Sequence, residues 1–168
     1  YQVSSVSTVL EALYLAGGPS AVGSFRDVIV RRGGEEVAVL DLYPYLTEGR
    51  TEGDIRLEQG DVVFVPLAGP QIAIEGLVRR AGLFELADHE GLLAVVRYAG
   101  GLLPDARRDR VQVDRVLPAA DRTTGRDRVL LDAPLGDIMA GVSDFALADG
   151  DRIQVFAVGE MQRENVSI

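Results

Sequence analysis

The chain contains one passage twice. YQVSSVSTVLEALYLAGG spans residues 1–18 and FELADHEGLLAVVRYAGG spans 84–101, so Tyr1 corresponds to Phe84 and Ala16 to Ala99 at a constant offset of 83 residues. Each passage runs from an aromatic residue through an alternating segment into an apolar helical pattern and closes on Ala-Gly-Gly. Repetition at this length means two copies of one small unit, each near the lower size at which a single core suffices. The 168 residues are therefore read as two modules rather than one domain. No apolar run approaches the roughly 18–20 residues a membrane helix needs, so the piece is read as soluble. The absence of Cys removes disulfides, thiolate metal sites and thiol nucleophiles together.

The repeat assigns faces to individual residues. Thr8-Val9-Leu10-Glu11 has capping-box spacing, and Val9, Leu10, Leu13 and Ala16 recur at helical intervals before Gly17-Gly18. This predicts a helix over 8–16, with its counterpart over 92–99 ending at Gly100-Gly101. The strands FRDVIVRR at 25–32 and RDRVQVDR at 108–115 keep the same offset. Val28 and Val30 match Val111 and Val113 and face the core, whereas the exchange of Ile29 for Gln112 marks the outer face. Further on, LEQGDVVFVP at 57–66 aligns with LADGDRIQVF at 147–156, at an offset of 90. Val63, Val65, Ile153 and Val155 are expected inside; Val62, Phe64, Arg152 and Gln154 are expected to be more exposed. The seven-residue growth in offset is assigned to the polar loop 118–128, where insertion costs little.

EEVAVLDL at 35–42 and DRVLLDAPL at 127–135 read as strands running into short helical turns at 43–46 and 135–139. IAIEGLVRRAGLFEL at 72–86 reads as a hairpin turning near 79–82. One module is then strand, strand, helix, strand, strand, short turn, strand: an α+β fold with one helix on a small mixed sheet, the β-grasp arrangement. The expected modules are 1–69, lacking its first strand and opening with Tyr1–Val3, and 70–160. Residues 161–168 are expected to start a further module or linker, because Val166–Ile168 matches Ile72–Ile74. The chain thus reads as a piece of a longer protein with more modules on each side.

Side-chain chemistry points to binding or assembly. All 17 basic residues are Arg, and the net charge of −9 leaves no basic run able to neutralise a phosphate backbone, which argues against nucleic acid. His89, the sole histidine, lies between Asp88 and Glu90 and reads as surface decoration, since no triad assembles around it. The Gly-Gly pairs follow helices rather than precede them, so they terminate helices and do not cradle phosphates. Asp41, Asp61, Asp132 and Asp151 recur in both copies and read as turn caps rather than paired acids. Arg79, Arg80, Arg107 and Arg108, with Arg110 and Arg115 in the same alternating run, are candidates for contact with an anionic polymer or acidic neighbour, but Asp109 and Asp114 offset that charge and a solvated face is preferred. Tyr43 and Tyr45 form the close aromatic pair; stacking on sugar rings is weighed against packing, which is preferred. Neither a nucleophile beside a base nor metal-ligand spacing appears, so no catalytic residue, cofactor or metal is expected.

The sequence AGG, a strand ending in Arg, L-x-x-G-D before an apolar strand and Pro66, then I-x-I-x-G-x-V and Gly82, resembles the SLBB domain, the soluble-ligand-binding β-grasp. The usual Pro-Gly of the hairpin is Ala81-Gly82 here, and Phe156 stands where copy one has Pro66. The resemblance implies tandem non-enzymatic modules of a bacterial polysaccharide export protein, in the periplasm or at the outer membrane. Its implied partners are like or neighbouring subunits and the polymer, with membrane contact only through other parts of the parent protein. Related modules are associated with soluble ligands such as cobalamin, which makes a small-ligand or carbohydrate receptor the alternative.

Overall fold

Two apolar clusters, one per repeat, divide the chain into a unit ending at Gly69 and a second beginning at Pro70. A computed structural model describes residues 7–124 and 126–159; the expected strand at Tyr1–Val3 and the segment 161–168 lie outside the described residues.

In the first unit, helix α1 (Val9–Ala16) is followed by strands β1 (Val28–Arg32) and β2 (Glu35–Leu40), helix α2 (Leu42–Glu48) and strand β3 (Val62–Phe64). The capping box forms as expected: Thr8 Oγ1 accepts from the Glu11 amide, and Glu11 accepts from the Thr8 amide. Gly17 ends the helix in the left-handed region at φ 89°, where a side chain would be strained. Two-residue spacing puts Val28 and Val30 on one face of β1, and both are fully buried against Val9 and Leu13 of α1 and Leu40 of β2. The sheet order is β2-β1-β3, antiparallel throughout, with a bulge on β2 at Val37.

In the second unit, β4 (Gln71–Gly76) and β5 (Gly82–Glu85) form the predicted hairpin, and α3 (Leu92–Tyr98) lies beyond it in the chain. β6 (Val111–Val116) and β7 (Arg128–Ala133) pair antiparallel, then α4 (Leu135–Met139) leads to β8 (Arg152–Val155). The order is β5-β4-β8-β6-β7, with β8 parallel to β4 and antiparallel to β6. First and last strands side by side at the centre of a five-stranded sheet make the β-grasp. Gly76 explains one glycine of the motif: at φ +85° it ends β4 so close to β8 that a Cβ would stand 2.0 Å from the Val155 carbonyl oxygen. Ile72, Ile74, Leu92, Val95, Val96, Val111, Val113, Ile153 and Val155 close the core, all about fully buried.

Corresponding polar contacts recur in the two units. Asp54 Oδ1 accepts from the Leu10 amide at 2.9 Å and Asp144 Oδ1 from the Leu93 amide at 3.1 Å, so in each unit an acid from the loop before the last strand caps the helix. The Val9 amide donates to the Ile55 carbonyl and the Leu92 amide to the Phe145 carbonyl. Arg32 grips Asp61 through Nε and Nη2 at 2.8 and 2.9 Å, and Arg115 grips Asp151 through the same atoms at 2.9 and 2.6 Å. The acids also accept from the Glu58 and Ala148 amides. Turn capping at Asp61 and Asp151 is as read from sequence, and each cap is simultaneously tied to the neighbouring strand.

Three expectations are corrected. Val28 pairs with Leu40 and Val111 with Ala133, which makes Leu40 and Ala133 equivalent at an offset of 93. The hairpin loop after β6 therefore carries ten extra residues, and the connection before the last strand is three shorter; two changes were read as one. The same register makes Asp132 the counterpart of Val39, not Asp41. Asp41 caps α2 through the Tyr43 amide, whereas Asp132 pairs with Arg110 at 2.7 Å. Val63 and Val65 are only half-buried while Ile153 and Val155 are fully buried. The cause is topological: β8 has a strand on each side, and among the described residues β3 has one on a single side.

Candidate functional site

The sequence-derived candidates fall into different units. Arg79 and Arg80 occupy the β4–β5 turn, and Arg107 and Arg108 the segment before β6. One end of the second unit's sheet brings these segments together: Leu77 bonds the Val155 carbonyl, Leu103 the Leu77 carbonyl and Arg107 the Phe156 carbonyl. Little of the arginine charge is free for a ligand. Arg80 donates to the Tyr98 carbonyl at 2.6 Å and lies over the Phe84 ring. Arg107 forms a two-pronged pair with Asp109, which holds that carboxyl at about 2 and raises the guanidinium. Arg79 and Arg108 are exposed and make no ion pair among the described residues.

Tyr43 and Tyr45 part company. Tyr43 is buried, with the Arg26 guanidinium 4.0 Å from its ring centre and Arg26 in turn bonded to Asp41 at 2.9 Å. That stack fixes the ring and hides it from any polymer. Tyr45, at 43% exposure, opens instead onto a groove of about 410 Å³ lined by Ser7, Leu10, Glu11, Tyr14, Leu15 and itself. Tyr14 is 85% exposed there. Two accessible rings beside a carboxylate and a hydroxyl can stack on an apolar ring face and accept or donate hydrogen bonds at its rim. Tyr14 was absent from the sequence candidates because it and Tyr45, 31 residues apart in the chain, come to one groove only in the folded unit. In the second unit the corresponding residue is Arg97, so the groove belongs to the first unit's own sequence.

A second surface feature lies on the outer face of β2-β1-β3. Ile29 stands between Val39 on β2 and Phe64 on β3, and Val62 extends the row at 57% exposure. The equivalent positions of the second unit are Gln112, Asp132, Gln154 and Arg152. The row is apolar on one sheet, with Val39, Val62 and Phe64 exposed beside the half-buried Ile29, and polar on its counterpart. The alternation that set Ile29, Val62 and Phe64 outward was legible in sequence; their clustering required the register.

His89 is exposed in the turn before α3, and no group of three or more His, Asp or Glu able to hold a metal ion occurs among the described residues. No described helix is long and apolar enough to cross a membrane.

Fold and surface together define a β-grasp binding module. The SLBB domain family model matches residues 1–41 and 71–127, more than half of the chain, and the chain belongs to that family. SLBB is a ligand-binding domain family, not known as catalytic, found in periplasmic and exported proteins. A comparison with curated proteins finds no match.

Proposed function

We propose that this chain is a tandem pair of SLBB modules serving as a non-enzymatic assembly element of a bacterial polysaccharide export complex, in the periplasm or at the outer membrane. The observation that carries the reading is the apolar row Ile29, Val39, Val62 and Phe64 on the outside of the first unit's sheet, polar in the second. Such a face is a cost in water and a gain when a neighbouring subunit covers it. The end of the second unit bearing Arg79 and Arg108 adds two exposed cations, without an ion pair among the described residues, for an acidic neighbour or polymer. The test is to place Val39→Glu and Phe64→Glu together in the gene of the source bacterium and measure surface polysaccharide. Both positions are exposed, so the protein should accumulate normally while polymer export falls at least tenfold. Unchanged export at normal protein level would refute the assignment.

The groove at Tyr14 and Tyr45 favours a second reading, a carbohydrate or small-ligand receptor. Calorimetric titration with a panel of oligosaccharides and cobalamins separates the two. Saturable binding abolished by Tyr14→Ala would move the function to the groove, and absence of heat with every compound would leave assembly alone.

A further inference from the structure

We infer that the outer face of the first unit's sheet is a two-fold interface with the same face of a second copy of this chain, the strands of the two copies running antiparallel. The inference names the partner for the assembly reading above and rests on that reading. Every residue of the face is described, and the register sorts them into levels along β1. At the middle level Val39, Ile29 and Phe64 stand side by side on β2, β1 and β3. One level on, Arg31 lies between Glu36 on β2 and Val62 on β3. One level back, alternation carries Asp27 onto the same face just before β1. Asp27 and Arg31 are both exposed, and neither makes an ion pair among the described residues. Along its central strand the face therefore runs acid, apolar, base.

That order selects both the partner and its orientation. Two sheets stacked face to face lie about 10 Å apart, with strand directions within about 30° of each other. When the strands run antiparallel about an axis crossing β1 at Ile29, Asp27 of each copy meets Arg31 of the other, and Val39, Ile29 and Phe64 cover their own counterparts. When the strands run parallel, Asp27 meets Asp27 and Arg31 meets Arg31, so charge selects the antiparallel pair. Asp41, at the same end as Asp27, is already bonded to Arg26 at 2.9 Å, and Glu36 stands at the rim on the edge strand β2. The second unit's face is no match. Gln112, Asp132 and Gln154 hold its middle level, while Arg110 and Asp114, in place of Asp27 and Arg31, are bonded to Asp132 and Arg128 at 2.7 and 2.8 Å. An apolar row laid on that surface gains little; laid on its own copy, it removes valine, isoleucine and phenylalanine from water on both sides. A contact of this symmetry uses the same patch twice and closes, so its product is a dimer. A patch this small falls below the roughly 1,200 Å² of standard interfaces, which makes the dimer a weak one.

The experiment uses the 168-residue chain. Sedimentation velocity from about 10 µM to 1 mM spans the weak regime. Salt at about 0.15 M gives a screening length of about 8 Å, which damps the repulsion between two chains of net charge −9 and leaves contact pairs in force. A reversible dimer is expected, abolished by Val39→Glu with Phe64→Glu. Asp27→Arg and Arg31→Asp each turn two attractive contacts into two repulsive ones, and each alone should weaken the dimer at least tenfold. Mixed in equal amounts, these two variants should pair with each other as tightly as the wild type pairs with itself, because two arginines on one copy then face two aspartates on the other. Both positions are exposed, and unchanged melting of the first unit shows that the fold is intact. A strictly monomeric chain, a dimer indifferent to both charge variants, a mixture that stays monomeric, or growth past the dimer that the double Glu variant abolishes would each overturn the inference. A mixture tighter than the wild type would overturn it too, by assigning parallel strands. Export that falls with Val39→Glu, Phe64→Glu while the wild-type chain is monomeric keeps the assembly reading with a different subunit and overturns this inference. A dimer with the expected charge pattern and unchanged export does the reverse.

Discussion

Replacing Asp151 by Asn tests whether the Arg-Asp contact at the last strand holds a unit together. The Asp151 side chain is fully buried and accepts from Arg115 Nε and Nη2 and from the Ala148 amide, at 2.9, 2.6 and 2.9 Å. Asn keeps the volume and one acceptor; with its oxygen in the Oδ2 place it still accepts from the Ala148 amide and from Arg115 Nη2, but its amide nitrogen then faces Arg115 Nε, so one charge-assisted bond is lost and the other loses its anionic acceptor. Hydrogen bonds to charged groups are each worth about 1.5–3 kcal/mol. Arg115 is a quarter exposed and retains the Ala146 carbonyl through Nη2 at 2.8 Å. Water can recover part of what the guanidinium loses, which brings the net cost to about 2–4 kcal/mol. For a unit of this size, that corresponds to a fall of about 10–25 °C in Tm. Amide exchange resolves the two units without separating them. Protection at Val113 and Ile153 should fall about 30- to 1000-fold, since 1.4 kcal/mol is a factor of ten, while Val28 and Val30 stay unchanged. A loss below about 0.5 kcal/mol, the level of an ordinary surface substitution, would refute the claim that this pair fastens β6 to the turn before β8. Arg115→Met with Asp151→Asn should cost less than the two single changes combined, because neither charge is then left alone.

The equivalent acid in the first unit supplies a pH prediction. The bonds from Arg32 hold the Asp61 carboxyl at about 2, below its unfolded value near 4; its contribution is complete above pH 4 and is lost as pH falls from there through 2. Thermal melts should show a steeper acid decline for the first unit of the wild type than for Asp61→Asn over that interval. Gly76→Ala should destabilise the second unit by more than about 2 kcal/mol in urea unfolding, since it combines left-handed strain with a Cβ 2.0 Å from the Val155 carbonyl oxygen. The two tyrosines should separate cleanly in a melting assay. Tyr43→Ala empties a buried site beneath Arg26 and should cost about 2–4 kcal/mol, whereas exposed Tyr14→Ala should shift Tm by no more than about 2 °C.

What the sequence made legible was whatever repeats at a fixed offset. The faces of β1 and β6 could be read from Val28, Val30, Val111 and Val113 because alternation along a strand is a local property, and a matched copy turns one noisy pattern into two concordant ones. The capping box at Thr8 and the hairpin β4–β5 were legible for the same reason: their partners lie within a few residues. Features that depend on strand pairing were hidden. Asp54 and Asp144 cap helices 44 and 51 residues earlier in the chain, and a carboxylate in a loop gives no local sign of so distant a donor. The equivalence of Val39 with Asp132 was concealed by a ten-residue gain and a three-residue loss that nearly cancel, and with it the apolar row was split among three strands. The same reasoning explains Val63 and Val65. Sequence matching assigns them the interior because Ile153 and Val155 occupy it, yet burial is a property of both neighbours of a strand, and among the described residues β3 has one. A repeat therefore specifies what a residue is suited to touch, while the topology specifies whether it touches it.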